Sequence, residues 1–316
     1  MTDNQLLDFN IIATNCQIAT SADSSLVIDS LEQLKNKYSD IELIAIFNYF
    51  LKIEFNAEVL CWLVRNLDSF RDSSSLPHYT RLLLMKDYTP SANYRKDDYT
   101  NLRVLCAKAI SNLKDHSSVH TLLACLNDKH ENYKVRLSCA DALGRLGDKY
   151  AVTSLMNVVS DDEEKSVYIR ESAAVALGLI GDMRAVDSLV KVLETQNGIM
   201  SKFSFLKEKA IEALCRLNPN NDRTFNALKK SLCDENSQVR INAIEAIMEY
   251  ESEESYSLIK DMLTDCDDEV KRNAVIALYN ISGEDILHEI INGDVYDLVC
   301  KAEAQCILDE ENEQDE

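Results

Sequence analysis

Apolar, small and charged residues recur in a fixed order along most of the chain. Residues 135–148 and 169–182 carry nearly the same pattern, 34 positions apart. In each copy an apolar–basic pair, Val135-Arg136 or Ile169-Arg170, is followed by small residues at helical spacing and then by Gly-Asp. A second apolar run follows each Gly-Asp, so the repeating unit is a pair of helices. A period of this length predicts a solenoid in which neighbouring units bury each other's apolar faces.

Six copies of this unit can be indexed by the apolar–basic pair. The pairs are Leu102-Arg103, Val135-Arg136, Ile169-Arg170, Leu206-Lys207, Val239-Arg240 and Val270-Lys271. Three positions after the basic residue stands Cys or Ala, three further on stands Ala, and the next residue is Leu or Ile. Small side chains at this spacing allow two helices to approach closely, and the following aliphatic residue fills the groove between them. This part of the pattern predicts packing and carries no chemistry.

Acidic residues precede several of the basic ones. They are Asp128, Asp162, Asp234 and Asp265, each at or just after the end of the preceding helix. An Asp at a helix start accepts hydrogen bonds from free N–H groups, and a nearby Arg can pair with it or with the Asp of the next repeat. We therefore expect a ladder of ion pairs between repeats.

The regular units also predict the domain organisation. Residues 1–100 form an irregular helical or capping region, in which residues 88–100 are an exposed connector, and residues 101–283 form the repeat array. Residues 284–308 form C-terminal capping helices, and residues 309–316 form an acidic, disordered tail. In the N-terminal region, Asp40 is the expected N-cap of a helix that presents Ile41 and Phe47 on one face.

The composition limits the classes of partner. The chain has 54 acidic against 33 basic residues and a formal net charge of −21, which disfavours nucleic acids and anionic lipids and favours a partner with a basic surface. Ten cysteines are scattered without a C-x-x-C pair, as in a protein of a reducing compartment, so we expect a cytoplasmic location. The N-terminus has no basic region typical of a secretory signal, and no segment is apolar enough to span a membrane.

The repeated segments resemble HEAT repeats, and most closely the short, glycine-containing type of the phycobilin lyases of the E/F class. The resemblance covers roughly residues 102–282 and implies an all-α fold, a right-handed α-α superhelical solenoid of HEAT-like repeats. It also implies that the helices beginning with the Val-Arg pair line a concave surface. Deoxyhypusine hydroxylase has similar repeats and holds iron with His-Glu pairs, but the matching positions here are Leu137-Ser138 and Glu171-Ser172. The HEAT-like DNA glycosylases need a basic concave face, which a chain of this charge does not favour.

Two positions of the repeat are left free by the packing pattern, five and nine residues after the basic residue. On the concave surface that the resemblance implies, they would face a ligand. The expected partner-binding residues are Asp141, Arg145, Val175, Leu179, Glu212, Arg216, Glu245 and Glu249. Val175 and Leu179 would form an apolar spot between Arg145 and Arg216. The alternative is that a loop such as residues 196–204 covers these two residues.

One histidine pair has a spacing seen in metal sites. His116 and His120 are four residues apart, but no further ligand completes a set at a recognisable spacing, so surface histidines are the favoured interpretation. We expect no metal and no cofactor, and the sequence contains no phosphate loop, nucleophile elbow or paired-carboxylate motif.

These observations favour a non-catalytic protein–protein interaction scaffold or chaperone. Its partner would be another protein, with a basic surface, bound on the concave face. The alternative that the resemblance leaves open is a phycobilin lyase subunit or pigment-handling chaperone. If the chain is an enzyme, we expect the bilin lyase type.

Overall fold

The computed structural model describes residues 7–85, 96–164, 166–194 and 204–314. Every regular element in these ranges is a helix, with eighteen α-helices and several short 3-10 turns. The chain divides into two compact units, Met1–Ser154 and Leu155–Glu316. No helix among the described residues is long and apolar enough to cross a bilayer.

The first unit contains helices that pack in consecutive pairs. Their bounds are α1 Phe9–Asn15, α2 Ser24–Leu34, α3 Asp40–Ile53, α4 Ala57–Phe70, α5 Leu76–Leu83, α6 Lys96–Leu113, α7 Val119–Asn127 and α8 Tyr133–Leu146, and α9 Val152–Val159 contains the boundary between the units. Helices α2, α4, α6 and α8 form an inner row in which each packs against the next. Helices α3, α5 and α7 each pack on the inner helix that follows.

The second unit repeats this arrangement. Its helices are α10 Val167–Ile180, α11 Val186–Glu194, α12 Ser204–Leu217, α13 Asp222–Ser231, α14 Ser237–Met248, α15 Glu253–Asp261, α16 Asp268–Ser282, α17 Glu284–Asn292 and α18 Leu298–Gln314. The even-numbered helices form the inner row, and each odd-numbered helix packs on the inner helix that follows it. Stacked helix pairs of this kind confirm the predicted all-α solenoid.

The small residues of the repeat lie where the pattern predicts, between inner helices. Ala176 of α10 and Ala213 of α12 are buried, as are the Leu177 and Leu214 that follow them. The approach is closest at Gly178, where an added Cβ would stand 2.9 Å from the Cα of Ala213. A side chain at Gly178 would therefore force the two helices apart.

The Gly-Asp joint ends each inner helix of the two nearly identical repeats. Gly147 and Gly181 have φ angles of +73° and +71°, a region that glycine enters without strain. The Asp carboxylate that follows then accepts the backbone N–H two residues later, from Tyr150 after Asp148 and from Arg184 after Asp182. The sequence motif is thus a helix stop followed directly by a helix start.

The predicted ladder of ion pairs is present. In four repeats the basic residue pairs with an acid that lies just before the next inner helix: Arg103 with Glu131, Lys207 with Asp234, Arg240 with Asp265 and Lys271 with Asp297. Arg170 instead lies 3.6 Å from Asp162, in the turn before its own helix. These basic side chains are largely buried, so the ladder belongs to the core rather than to the surface.

The arginines have a second contact that the sequence does not reveal. The Nε of Arg103, Arg136 and Arg170 donates to a backbone carbonyl in the last turn of the preceding outer helix, at 2.7, 2.8 and 2.9 Å. Carbonyls at a helix C-terminus have no partner within the helix, and the negative end of the helix dipole favours a cation there. Each arginine therefore caps the outer helix of the preceding repeat.

The N-cap prediction for α3 is wrong by one residue. Ser39 is the N-cap, and its backbone N–H and hydroxyl both donate to the Glu42 carboxylate, at 2.9 and 2.8 Å. The buried face is correspondingly different, because Ile41 is 82% exposed while Leu43 and Ile46 are buried. Phe47 is buried, as predicted.

The predicted connector and tail also need correction. Helix α6 begins at Lys96, and Tyr99 is buried with its hydroxyl donating to the Phe55 carbonyl at 2.5 Å, so residues 96–100 are part of the fold. The first part of the predicted connector, residues 88–95, lies outside the described residues. At the other end α18 continues to Gln314, so the prediction of a disordered tail is wrong for residues 309–314. Tyr279 anchors this segment by donating to the Glu311 carboxylate at 2.7 Å.

Candidate functional site

The eight predicted partner-binding residues all lie on or at the end of inner helices, and none is buried. In the first unit, Asp141 and Arg145 are exposed on α8. In the second unit, Val175 and Glu212 are half-buried, and the rest are exposed. Those exposed residues are Leu179, Arg216, Glu245 and Glu249. Leu179 is 48% exposed, although it is aliphatic. The loop named as its alternative cover, at residues 196–203, lies outside the described residues.

Three of these residues meet in one cleft of the second unit. The cleft has a volume of about 500 Å³ and lies on α12, α14 and α16. Arg216, Glu245 and Glu249 contribute its charged groups. Ile276 and Asn280, which hold the same two positions of the last repeat, also line it. The free positions of the repeat thus converge on a concave feature in the second unit.

The remaining lining residues were missed by the sequence analysis. They are Cys215, Met248, Asn273 and Ala277. Cys215 and Met248 stand eight residues after the basic residue, where the two nearly identical repeats have Gly144 and Gly178. The change from glycine to sulfur-containing side chains at this position is the signal that could have found them.

Carboxylates on the inner helices α10, α12 and α14 influence one another. Burial raises the pKa of Glu245, and the nearby charge of Glu212 raises it further. Burial also raises the pKa of Glu171, with a further contribution from Glu208. Lys209 provides one counter-charge, since its Nζ lies 2.7 Å from Glu212. Burial and neighbouring carboxylates thus disfavour the ionised form of these acids, and Lys209 offsets the effect only in part.

Glu208 is the most enclosed of these acids, with 7% of its surface exposed. Burial raises the pKa of its carboxyl; Lys209 opposes this, and Glu212 adds to it. No hydrogen bond or ion pair to the Glu208 carboxylate occurs within the described ranges. An ionised carboxylate in such a place destabilises the fold.

Glu208→Gln is therefore expected to stabilise the protein at pH 7, by roughly 1 kcal/mol. The folded-state pKa of Glu208 is raised above its unfolded value of about 4.3, so ionisation penalises the folded state as the pH rises through that range. The gain should vanish near about pH 3, where the carboxyl is protonated in both the folded and the unfolded state. Urea unfolding at the two pH values measures it, with Glu253→Gln on exposed α15 as the matched control. A gain of the same size at both pH values would contradict the explanation by charge burial.

The histidine pair has structural contacts. The Nδ1 of His116 lies 2.9 Å from the Asp148 carboxylate, and the ring of His120 packs edge-on against Tyr150 with centroids 4.8 Å apart. Over the described ranges no three His, Cys, Asp or Glu side chains are arranged to hold a metal ion.

A family model for HEAT repeats matches residues 89–167, 129–202 and 203–279, together more than half of the chain. The chain belongs to the HEAT-repeat family. The match confirms the resemblance found in the sequence. The HEAT repeats include the three inner helices of the cleft, α12, α14 and most of α16, so the cleft is a feature of the repeats themselves.

Several solved structures are similar to this HEAT-repeat chain. Kap121p matches with a TM-score of 0.56 and 10% identity, over 96% of this chain and 38% of that one. Kap95p bound to RanGDP matches with a TM-score of 0.53 and 13% identity, over 94% of this chain and 44% of that one. The CpcE–CpcF complex of phycocyanin lyase from Nostoc sp. PCC7120 matches with a TM-score of 0.45 and 22% identity, over 69% of this chain and 81% of that one. No curated protein matches the chain. At these identities the likeness shows the fold alone.

Proposed function

We propose that this HEAT-repeat protein is a non-catalytic scaffold or chaperone that binds another protein through the inner helices of its second unit. The observation that carries the proposal is the cleft on α12, α14 and α16. It combines an apolar floor, from Met248 and Ile276, with the carboxylates of Glu245 and Glu249. Accessible apolar groups beside charges are typical of the few contacts that dominate a protein interface.

Charge defines the kind of partner. The chain carries a formal net charge of −21, and the inner surface of the second unit concentrates acids whose pKa values are raised by burial, such as Glu245. A partner segment with lysine or arginine would neutralise these groups, and the field of the whole chain would speed its approach. Kap95p, which has a similar fold, binds RanGDP, so a solenoid of this kind can serve as a protein-binding surface.

The cleft has no group poised for covalent chemistry. Its one thiol is Cys215, whose pKa rises to about 12 because of burial and the charges of Glu245 and Glu249. A thiol in this state is protonated at neutral pH and is a poor nucleophile. Binding is therefore the activity that the cleft supports best.

The test is capture of partners by the tagged full-length chain, compared between two variants. Ile276→Asp places a charge on the cleft floor and should abolish the capture of partners that cross-link to α12, α14 or α16. Val295→Asp makes the same chemical change at an exposed site outside the cleft and should leave capture unchanged. Equal capture by both variants would sink the proposal. Coloured protein after co-expression with a bilin and a phycobiliprotein subunit would instead favour the lyase alternative.

A further inference from the structure

Two neighbouring inner helices begin with the same aromatic-x-x-Glu pattern. It is Tyr168-x-x-Glu171 in α10 and Phe205-x-x-Glu208 in α12, with the ring two residues before the basic residue of the repeat and the acid one residue after it. In the other four repeats, the first of these positions holds no aromatic residue and the second holds no acid. Their residues there are Asn101 and Val104, Lys134 and Leu137, Gln238 and Ile241, and Glu269 and Arg272. The pattern is thus confined to one adjacent pair of repeats.

The two rings face outward. Tyr168 is 61% exposed and Phe205 is 65% exposed, whereas Phe47 and Phe50 of α3 are fully buried. Residues three apart on a helix lie on the same face, so each ring stands beside the glutamate of its own pattern. Helices α10 and α12 pack side by side, and the charge of Glu208 acts on Glu171. The four side chains therefore form one patch, two rings beside two carboxylates, within the second unit.

Glu208 shows that this patch is incomplete on its own. Glu208 is 7% exposed, and its carboxylate, whose oxygens still reach the surface, has no hydrogen bond or ion pair within the described ranges. Burial raises the pKa of Glu171 and the charge of Glu208 raises it further, while Lys209 opposes both effects without an ion pair to either carboxylate in the described part of the chain. A carboxylate that is largely withdrawn from water and has no hydrogen-bond partner is costly to ionise. A cation supplied from outside would remove that cost.

We propose that Glu171 and Glu208 form the receptor for one cationic side chain, a lysine or an arginine, of the bound partner segment. The ammonium or guanidinium group donates hydrogen bonds to both carboxylates, and the rings of Tyr168 and Phe205 contact the cation or its methylene stem. This inference rests on the proposed function, because it names the chemistry by which the same inner surface selects its partner. A neutral segment would leave the Glu208 carboxylate unpaired and would bind less well.

The experiment uses the full chain and a rhodamine-labelled, lysine-rich peptide in a Gly-Ser background, followed by fluorescence anisotropy. Glu208→Gln should weaken binding about tenfold, which is about 1.4 kcal/mol. Glu253→Gln removes the same charge from an exposed position of α15 and should weaken binding less than about twofold. Phe205→Ser should weaken binding severalfold, and a peptide with glutamine in place of lysine should not discriminate between the wild type and Glu208→Gln. Circular dichroism melting confirms that each variant is folded.

Each outcome decides the question. Equal losses of peptide affinity in Glu208→Gln and Glu253→Gln would mean that the peptide is attracted by net charge alone. That result would contradict the proposed receptor. Full binding by Glu208→Gln together with lost binding by Ile276→Asp would also overturn it, while leaving the proposed function intact. Peptide binding that neither inner-face variant weakens would contradict both proposals.

Discussion

Arg240→Met is expected to lower the free energy of unfolding by about 3–5 kcal/mol. The Nε and Nη2 of Arg240 lie 2.9 and 2.7 Å from the two carboxylate oxygens of Asp265, and both side chains are 9% exposed. A third bond runs from Nη1 to the Asp234 carbonyl at 2.9 Å. Methionine fills similar space but supplies no donor, so it leaves a buried carboxylate and a backbone carbonyl without their partner.

The pH dependence of this effect gives a second check. Burial alone would raise the pKa of Asp265, but hydrogen bonds from Arg240 and from the Asp267 N–H outweigh it, so the pKa is lowered. The stabilisation by the pair is then complete above the unfolded-state pKa of about 3.9 and is lost as the pH falls through the lower folded value. The difference between the wild type and Arg240→Met should therefore shrink below about pH 4.

The matched control is Lys229→Met. Lys229 pairs with Glu254 at 2.7 Å, but these side chains are 45% and 57% exposed, so the loss should stay below about 1 kcal/mol. Chemical unfolding of both variants at neutral pH measures the contrast. Equal losses of unfolding free energy in the two variants would contradict the buried position of the Arg240–Asp265 pair.

The repeat pattern predicted the ladder because it records which residue types recur at fixed spacing. Asp234 and Asp265 stand at matching places before successive repeats, and each pairs with the basic residue of the preceding repeat, Lys207 or Arg240. The carbonyl capping by Arg136 was not predicted, since a backbone acceptor leaves no mark in the sequence. Spacing identifies the face on which a side chain lies, but not the atoms that it meets.

The same limit applies to the cleft. Arg216, Glu245 and Glu249 were named because the repeat leaves their positions free, and they do line one cavity. The floor residue Met248 was missed because it shares its position with the glycine that brings two inner helices together, as Gly178 does against Ala213. A residue at this position either packs between two inner helices, as Gly178 does, or lines a cleft, as Met248 does. The distance between the helices decides which, and the periodicity of one sequence does not determine that distance.

The errors at the ends of the chain have a similar origin. The repeat pattern fixes the register of each helix within the array, but residues 1–100 and 309–316 do not carry the repeat pattern. In α3, the Ser39–Glu42 capping contacts set the helix start and leave Ile41 exposed. At the C-terminus, the acidic composition predicts disorder, whereas α18 continues to Gln314 and Glu311 accepts a long-range hydrogen bond from Tyr279. Composition does not reveal such tertiary contacts.

Leu179→Glu is expected to leave the fold intact and to lower partner affinity by about 2 kcal/mol or more, roughly 30-fold. Leu179 is 48% exposed in the last turn of α10, although the core residues Ala176, Leu177 and Ile180 beside it are buried. It follows Gly178, where an added Cβ would lie 3.5 Å from the Cδ of Arg216, so the last turn of α10 packs beside a charged residue of the cleft. An accessible aliphatic group at such an edge gains most when a partner removes it from water.

The control for this variant is Met183→Glu, which places the same charge at another exposed apolar residue just beyond α10, outside the two free rows of the repeat. Binding of a captured partner is measured by isothermal titration calorimetry, and folding by the melting temperature from circular dichroism. If Leu179→Glu melts much earlier than Met183→Glu, Leu179 belongs to the core. If both variants melt normally and bind equally well, the inner edge of α10 lies outside the interface, and the partner contacts must be sought on α14 and α16.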